Sequence, residues 1–146
     1  MLTVNNLHVN YGAITAVKGV SFTINQGEIV TLIGANGAGK STILKTLSGL
    51  LKPSQGTITY QGQELSKLSA PRIVAQGISQ VPEGRHVFPE MTVKENLQMG
   101  AYLRKDSSAI AADFQRVYRL FPILAERQDQ DAATLSGGEQ QMLVMG

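Results

Sequence analysis

The sequence has no cysteine in 146 residues, which excludes a disulfide framework and any thiolate metal site. Histidine is nearly as scarce: His8 and His86 lie far apart and read as ordinary strand or loop residues, not a ligand cluster. No run of like charge exceeds the pair Arg104-Lys105. The net charge is +2, so the pI near 9.0 marks a slight basic excess and gives no sign of nucleic-acid binding. No window approaches the roughly 18 consecutive apolar residues of a membrane span. The stretch from Met1 to Asn6 lacks the basic start and apolar run of a signal peptide, so the chain is expected to be made and to stay in the cytosol. What is present suits one ordinary folded domain, with a hydrophobic share of 42% and a charged share of 16%.

Hydrophobic periodicity divides the chain into short elements. Leu2 to Val9 reads as a strand whose alternation Asn5-Asn6 interrupts, and Val20, Phe22 and Ile24 alternate with Ser21 and Thr23 in a second. Ile29 to Ile33 is nearly continuous and β-branched, the pattern of a strand buried on both faces. Ile43, Leu44, Leu47 and Leu51 share one face of a predicted helix. Thr57 to Tyr60 and Ile78 to Val81 read as short strands. Between them a short helix is expected, capped by Ser69, begun by Pro71 and ended by Gly77. Pro82 to Met91 reads as loop. Thr92-Val93-Lys94-Glu95 is a capping-box pattern that opens a helix to about Tyr102. Ile110, Phe114, Val117, Tyr118 and Phe121 mark another helix, which Pro122 is expected to close. Ser136-Gly137-Gly138-Glu139 is a second capping-box pattern, opening an apolar helix over Met142 to Met145.

The most informative motif is Gly34-Ala35-Asn36-Gly37-Ala38-Gly39-Lys40-Ser41, which matches G-x-x-x-x-G-K-[ST]. Its glycines let backbone N–H groups turn inward around phosphate oxygens, where a Cβ would obstruct them. The helix beginning near Lys40 aims its positive end at the same anion. Lys40 is positioned to reach the β- and γ-phosphates of ATP, and the Ser41 hydroxyl to meet Mg²⁺.

Further motifs narrow the reading. Leu135-Ser136-Gly137-Gly138-Glu139-Gln140-Gln141 resembles the signature motif of ATP-binding-cassette proteins, about a hundred residues after the phosphate loop as in that family. Leu7-His8-Val9-Asn10-Tyr11-Gly12 resembles the family's segment with an adenine-stacking aromatic. Thr92-Val93-Lys94-Glu95-Asn96-Leu97 resembles its T-V-x-E-N-L stretch. Val81-Pro82-Glu83-Gly84-Arg85, Met99-Gly100-Ala101-Tyr102 and the segment through Met142-Leu143 look like the LivF-type subunits of branched-chain amino acid importers; urea and amide importers use similar subunits.

The resemblance implies an α/β fold of the P-loop NTPase type, with an N-terminal antiparallel β subdomain and a helical subdomain, lacking the C-terminal part of the core sheet. Its parts would be 1–81 for the β subdomain and P-loop core, 82–135 for the helical subdomain, and 136–146 for the signature and a truncated helix. It makes Tyr11, Gly34, Asn36, Gly37, Ala38, Gly39, Lys40, Ser41 and Thr42 the residues that bind ATP. Ser136, Gly137 and Gly138 would contact the nucleotide of a partner subunit in trans. Ser41 and Glu83 are implied at Mg²⁺, and Glu83 also as a catalytic residue, at the family's Q-loop position, where Mg²⁺ and the attacking water are met. Many cassette ATPases have Gln where this chain has Glu83, and the LivF-type subunits have Glu. A carboxylate there can ligate Mg²⁺ but adds negative charge near phosphate, and an exposed charged loop is the competing reading.

The function so implied is ATP hydrolysis coupled to uptake of branched-chain amino acids. The subunit would be peripheral on the cytoplasmic face of the cell membrane, dimeric with a homologous ATPase subunit beneath transmembrane permease subunits. The family's catalytic carboxylate and switch histidine fall on later strands that this chain does not encode. The chain itself is therefore expected to bind ATP without turning it over, to leave Ile29–Ile33 and Ile78–Val81 unpaired with each other, and to be marginally stable. A urea, amide or other small-solute importer subunit is the alternative, as is a truncation product without function. Soluble cassette ATPases of translation or DNA repair carry paired cassettes or coiled-coil insertions not seen here. The apolar set Val87, Phe88, Met91, Leu97 and Tyr102 is expected to face the membrane partner.

Overall fold

The computed structural model describes all residues except Arg85, and the chain divides into two units, Met1–Gln80 and Val81–Gly146.

The first unit is built on a four-stranded antiparallel sheet in the order β2-β1-β3-β4, with β1 at Leu2–Tyr11, β2 at Ile14–Ile24, β3 at Gln55–Tyr60 and β4 at Gln63–Glu64. In β1 the buried residues are Val4, Leu7 and Val9. The step from Val4 to Leu7 is odd, so a regular strand would send Leu7 to the opposite face. One extra residue corrects the phase. The ladder to β2 shifts register between Val4 and Leu7, and Asn6 takes φ 46°, a left-handed value that Asn tolerates better than most residues. The Asn6 N–H donates to Ser21 Oγ at 2.8 Å. The bulge also dictates Gly56, where an added Cβ would stand 2.3 Å from Asn6 O. The interruption at Asn5-Asn6 is thus what keeps three apolar side chains on one side.

Helix α1 (Lys40–Leu47) and helix α2 (Ala70–Ala75) supply Ile43 and Ile73 to the same core, with Ile58 and Leu65. Each fully buried aliphatic side chain contributes about 1.5–3 kcal/mol. Leu44, expected on this face, is 45% exposed. Ser69 is the N-cap of α2 as expected, but its side chain makes no cap hydrogen bond.

Two expected strands are absent. Neither 29–33 nor 78–81 lies in a ladder among the described residues, so the two do not pair with each other, and neither is a strand at all. A strand exists only through a hydrogen-bonded neighbour, and the sheet ends at β2 on one side and β4 on the other. Leu32 and Ile78 still pack on the core, whereas Ile29 and Ile33 are 98% and 93% exposed, not doubly buried.

The second unit is helical: α3 at Val93–Gly100, α4 at Ser107–Leu120, α5 at Pro122–Glu126 and α6 at Gly137–Met145, with a 3₁₀ turn at Ala132–Thr134. Both capping boxes form. Thr92 N donates to Glu95 Oε2 at 2.8 Å, and Glu95 N to Thr92 Oγ1 at 3.2 Å. Pro122 does more than close α4. It occupies the first turn of α5, where its missing N–H has no helical partner to lose, and Phe121 caps both helices. Val93, Leu97, Leu124, Ala132, Leu135 and Leu143 form this unit's core. The segment after α5 is stapled to the start of α3: Val93 N donates to Gln130 O at 3.0 Å and Lys94 N to Gln128 O at 2.9 Å. No helix among the described residues is long and apolar enough to cross a membrane.

Candidate functional site

In the first unit the phosphate loop runs from Gly34 into α1. Gly37 and Gly39 have φ 81° and 90°, the left-handed region in which L side chains are strained. At Gly39 space also decides: a Cβ would stand 2.7 Å from Ala16 O on β2. Gly39 is the N-cap of α1 and carries no side chain, so no side-chain cap covers the helix's positive end. Ala38 N closes a turn onto Ala35 O at 3.1 Å. Lys40 folds over this turn, its Nζ donating to Gly34 O at 2.7 Å and Ala35 O at 2.8 Å. The ammonium is thereby held against the carbonyls of the loop's first two residues. Gly34, Asn36, Gly37, Ala38 and Ser41 are exposed along it. Backbone donors, an open helix end and one ammonium together fit a polyphosphate, and the Ser41 hydroxyl is a hard oxygen donor of the kind Mg²⁺ accepts.

Tyr11 ends β1 at a two-residue hairpin turn, Gly12-Ala13, with Gly12 at φ 57°. It is 46% exposed, and its hydroxyl lies 3.5 Å from Thr42 Oγ1. The structure thus brings Tyr11 beside the first turn of α1, a proximity that 31 residues of separation conceal. Thr42 itself is buried and its carbonyl accepts from Thr46 Oγ1 at 2.7 Å.

In the second unit Glu83 lies exposed in a turn with Gly84, while Arg85, the last residue of that motif, falls outside the described residues. Ser136 caps α6. Its N–H donates to Glu139 Oε2 at 2.7 Å, and Glu139 N donates to Ser136 Oγ at 3.4 Å. These bonds, the backbone one foremost, hold the Glu139 carboxyl below the usual carboxylate range, and Arg127 adds to the effect. At the start of α6, Ser136 and Gly138 are exposed and Gly137 is half-buried. Arg127 meets Glu139 Oε1 at 3.2 Å, a contact the sequence motifs did not suggest.

The apolar set expected to face a partner divides. Leu97 is core, 7% exposed, because it points into the α3–α6 packing. Phe88 and Tyr102 are 52% and 77% exposed, joined by Met99 and Leu103. Asn96 organises the loop beneath Phe88: its Oδ1 accepts from Phe88 N at 2.8 Å and its Nδ2 donates to Phe88 O, Met91 O and Thr92 O.

A family model described as ABC transporter matches residues 17–146. The chain is 50% identical over its whole length to the high-affinity branched-chain amino acid transport ATP-binding protein BraG of Pseudomonas aeruginosa, spanning 62% of that protein. It is 34% identical, over 99% of its length, to the probable branched-chain amino acid transport ATP-binding protein LivF of Archaeoglobus fulgidus, spanning 61% of it. Among solved structures, an ATP binding subunit of an ABC transporter superposes with a TM-score of 0.82 at 31% identity, over 99% of this chain and 60% of the other.

Proposed function

This chain belongs to the ABC transporter family, and we propose that the whole protein is the ATP-binding subunit of an importer for branched-chain amino acids. The observation that carries the nucleotide part is the loop at Gly34–Ser41, where left-handed glycines, the side-chain-free start of α1 and the inward-folded Lys40 converge. Identity to BraG, a branched-chain amino acid transport protein, supports the substrate class.

Within this reading Lys40 and the loop amides hold the β- and γ-phosphates of ATP. Asn36 and Thr42 flank them, and Tyr11 stacks on adenine. Ser41 is assigned to Mg²⁺, and Glu83 is kept as a carboxylate of the kind that can ligate Mg²⁺. When bound, Mg²⁺ would neutralise charge developing between the phosphates. Ser136 and the Gly137–Gly138 amides present a second anion cradle to the nucleotide of a partner subunit. ATP hydrolysis, dimerisation and docking beneath permease subunits at the cytoplasmic face of the membrane are assigned to the whole protein.

Reconstitution of the whole subunit with its permease and binding protein in vesicles tests the proposal. ATP-dependent uptake of leucine, isoleucine or valine is expected. Uptake of urea or amides in their place would reassign the substrate, and ATP-independent uptake would overturn the function.

A further inference from the structure

The two capping boxes of the helical unit are built alike but not equipped alike. At α3, Glu95 accepts from the Thr92 N–H, and among the described residues no cation pairs with it. A helix start is therefore capped here without an arginine. At α6 the same arrangement of Ser136 and Glu139 carries an additional ion pair, with Arg127 Nη1 3.2 Å from Glu139 Oε1 and 3.3 Å from Oε2.

The difference has an electrostatic consequence. A carboxylate at a helix N-terminus takes up the same positive end that would attract a phosphate. At α3, where nothing anionic is assigned, that is harmless. At α6 an uncompensated Glu139 would repel the anion that Ser136, Gly137 and Gly138 are assigned to receive. Arg127 supplies the compensating charge from a fixed place. Its own N–H bonds Ile123 O at 3.1 Å, and the residues just after it are tied to the first turn of α3. The reciprocal half of the α6 cap, Glu139 N to Ser136 Oγ, is long at 3.4 Å, so the cap's geometry depends chiefly on where the carboxylate is held.

The geometry points to Arg127 as a positioning residue of the signature motif: it holds and neutralises the Glu139 carboxylate, so that Ser136 and the amides behind it face an incoming phosphate as a net attractive site. The inference rests on the reading of Ser136 as a phosphate contact made to a partner subunit.

The test is steady-state ATP hydrolysis by the whole subunit carrying Arg127→Met, Glu139→Gln, both together, and Ser136→Ala. For Arg127→Met, kcat is expected to fall about two- to fivefold, the scale of a partly exposed ion pair, with MgATP affinity of the monomer unchanged. In the Glu139→Gln background the same substitution is expected to change kcat by less than about twofold, because no charge remains to neutralise. Equal losses in both backgrounds would overturn the inference, and they are also what simple misfolding would produce. Impaired Ser136→Ala with unimpaired Arg127→Met overturns the inference alone. Unimpaired Ser136→Ala overturns the underlying reading of the signature and the inference with it.

Discussion

The Lys40 ammonium donates to Gly34 O at 2.7 Å, so the one charged residue of the phosphate loop is hydrogen-bonded to its first glycine. With Ala35 O as the second acceptor, the side chain arches over the turn that the loop amides line. The loop is held together by the group assigned to the phosphates, and its glycines carry the curvature that makes this possible.

That curvature gives a ranked prediction. Gly39→Ala combines φ 90° with a Cβ only 2.7 Å from Ala16 O, whereas Gly37→Ala has φ 81° and open space around it. Left-handed strain alone costs about 1–2 kcal/mol, and the clash adds to it at Gly39. Denaturant unfolding of the two variants is expected to show the larger loss at Gly39. Equal losses would mean that the contact with β2 relaxes freely.

The helical unit is expected to weaken in acid. Glu95 and Glu139 are both held below the ordinary carboxylate range, each first by the backbone N–H of its cap residue, Thr92 or Ser136, and then by that residue's hydroxyl. A depressed folded-state pKa means that the stabilising contribution is present above the unfolded value of about 4.3 and is lost as pH falls through the folded values. Thermal melts from pH 7 to pH 3 are expected to hold level and then decline below about pH 4.5, less steeply in Glu95→Gln and Glu139→Gln. Stability unchanged from pH 5 to pH 3 would contradict the assignment.

Exposure separates two roles within one apolar stretch. Phe88 and Tyr102 are largely exposed, so Phe88→Asp is expected to spare folding and ATP binding while uncoupling hydrolysis from transport. Leu97 is core, and Leu97→Ala is expected to cost about 2–5 kcal/mol of stability. Normal transport with Phe88→Asp would remove this surface from the partner interface.

Local rules made much of this legible. The phosphate loop and both capping boxes are short-range patterns spelled within a few residues; the two capping boxes form as read and α1 begins at Lys40, whereas the strand expected ahead of the loop does not form. The β-branched run at 29–33 carries strand propensity, but a strand also needs a paired neighbour, and among the described residues none lies beside it. The bulge at Asn6 registered only as a broken alternation, since its meaning depends on the Val4-to-Leu7 phase and on Gly56 some 50 residues away in sequence. Arg127 left no motif, and Asn96 stood within the T-V-x-E-N-L stretch with no role readable from it: one pairs across 12 residues, the other satisfies a loop's backbone, and each role becomes visible only when the chain is folded.

In the proposed function this loop binds the phosphates of ATP through Lys40. The decisive experiment is calorimetric titration of MgATP into the whole protein, with and without Lys40→Ala. Charge-assisted hydrogen bonds contribute about 1.5–3 kcal/mol each, so the substitution is expected to weaken binding at least about tenfold. Equal affinity in the two proteins would contradict the assignment of this loop as the nucleotide site.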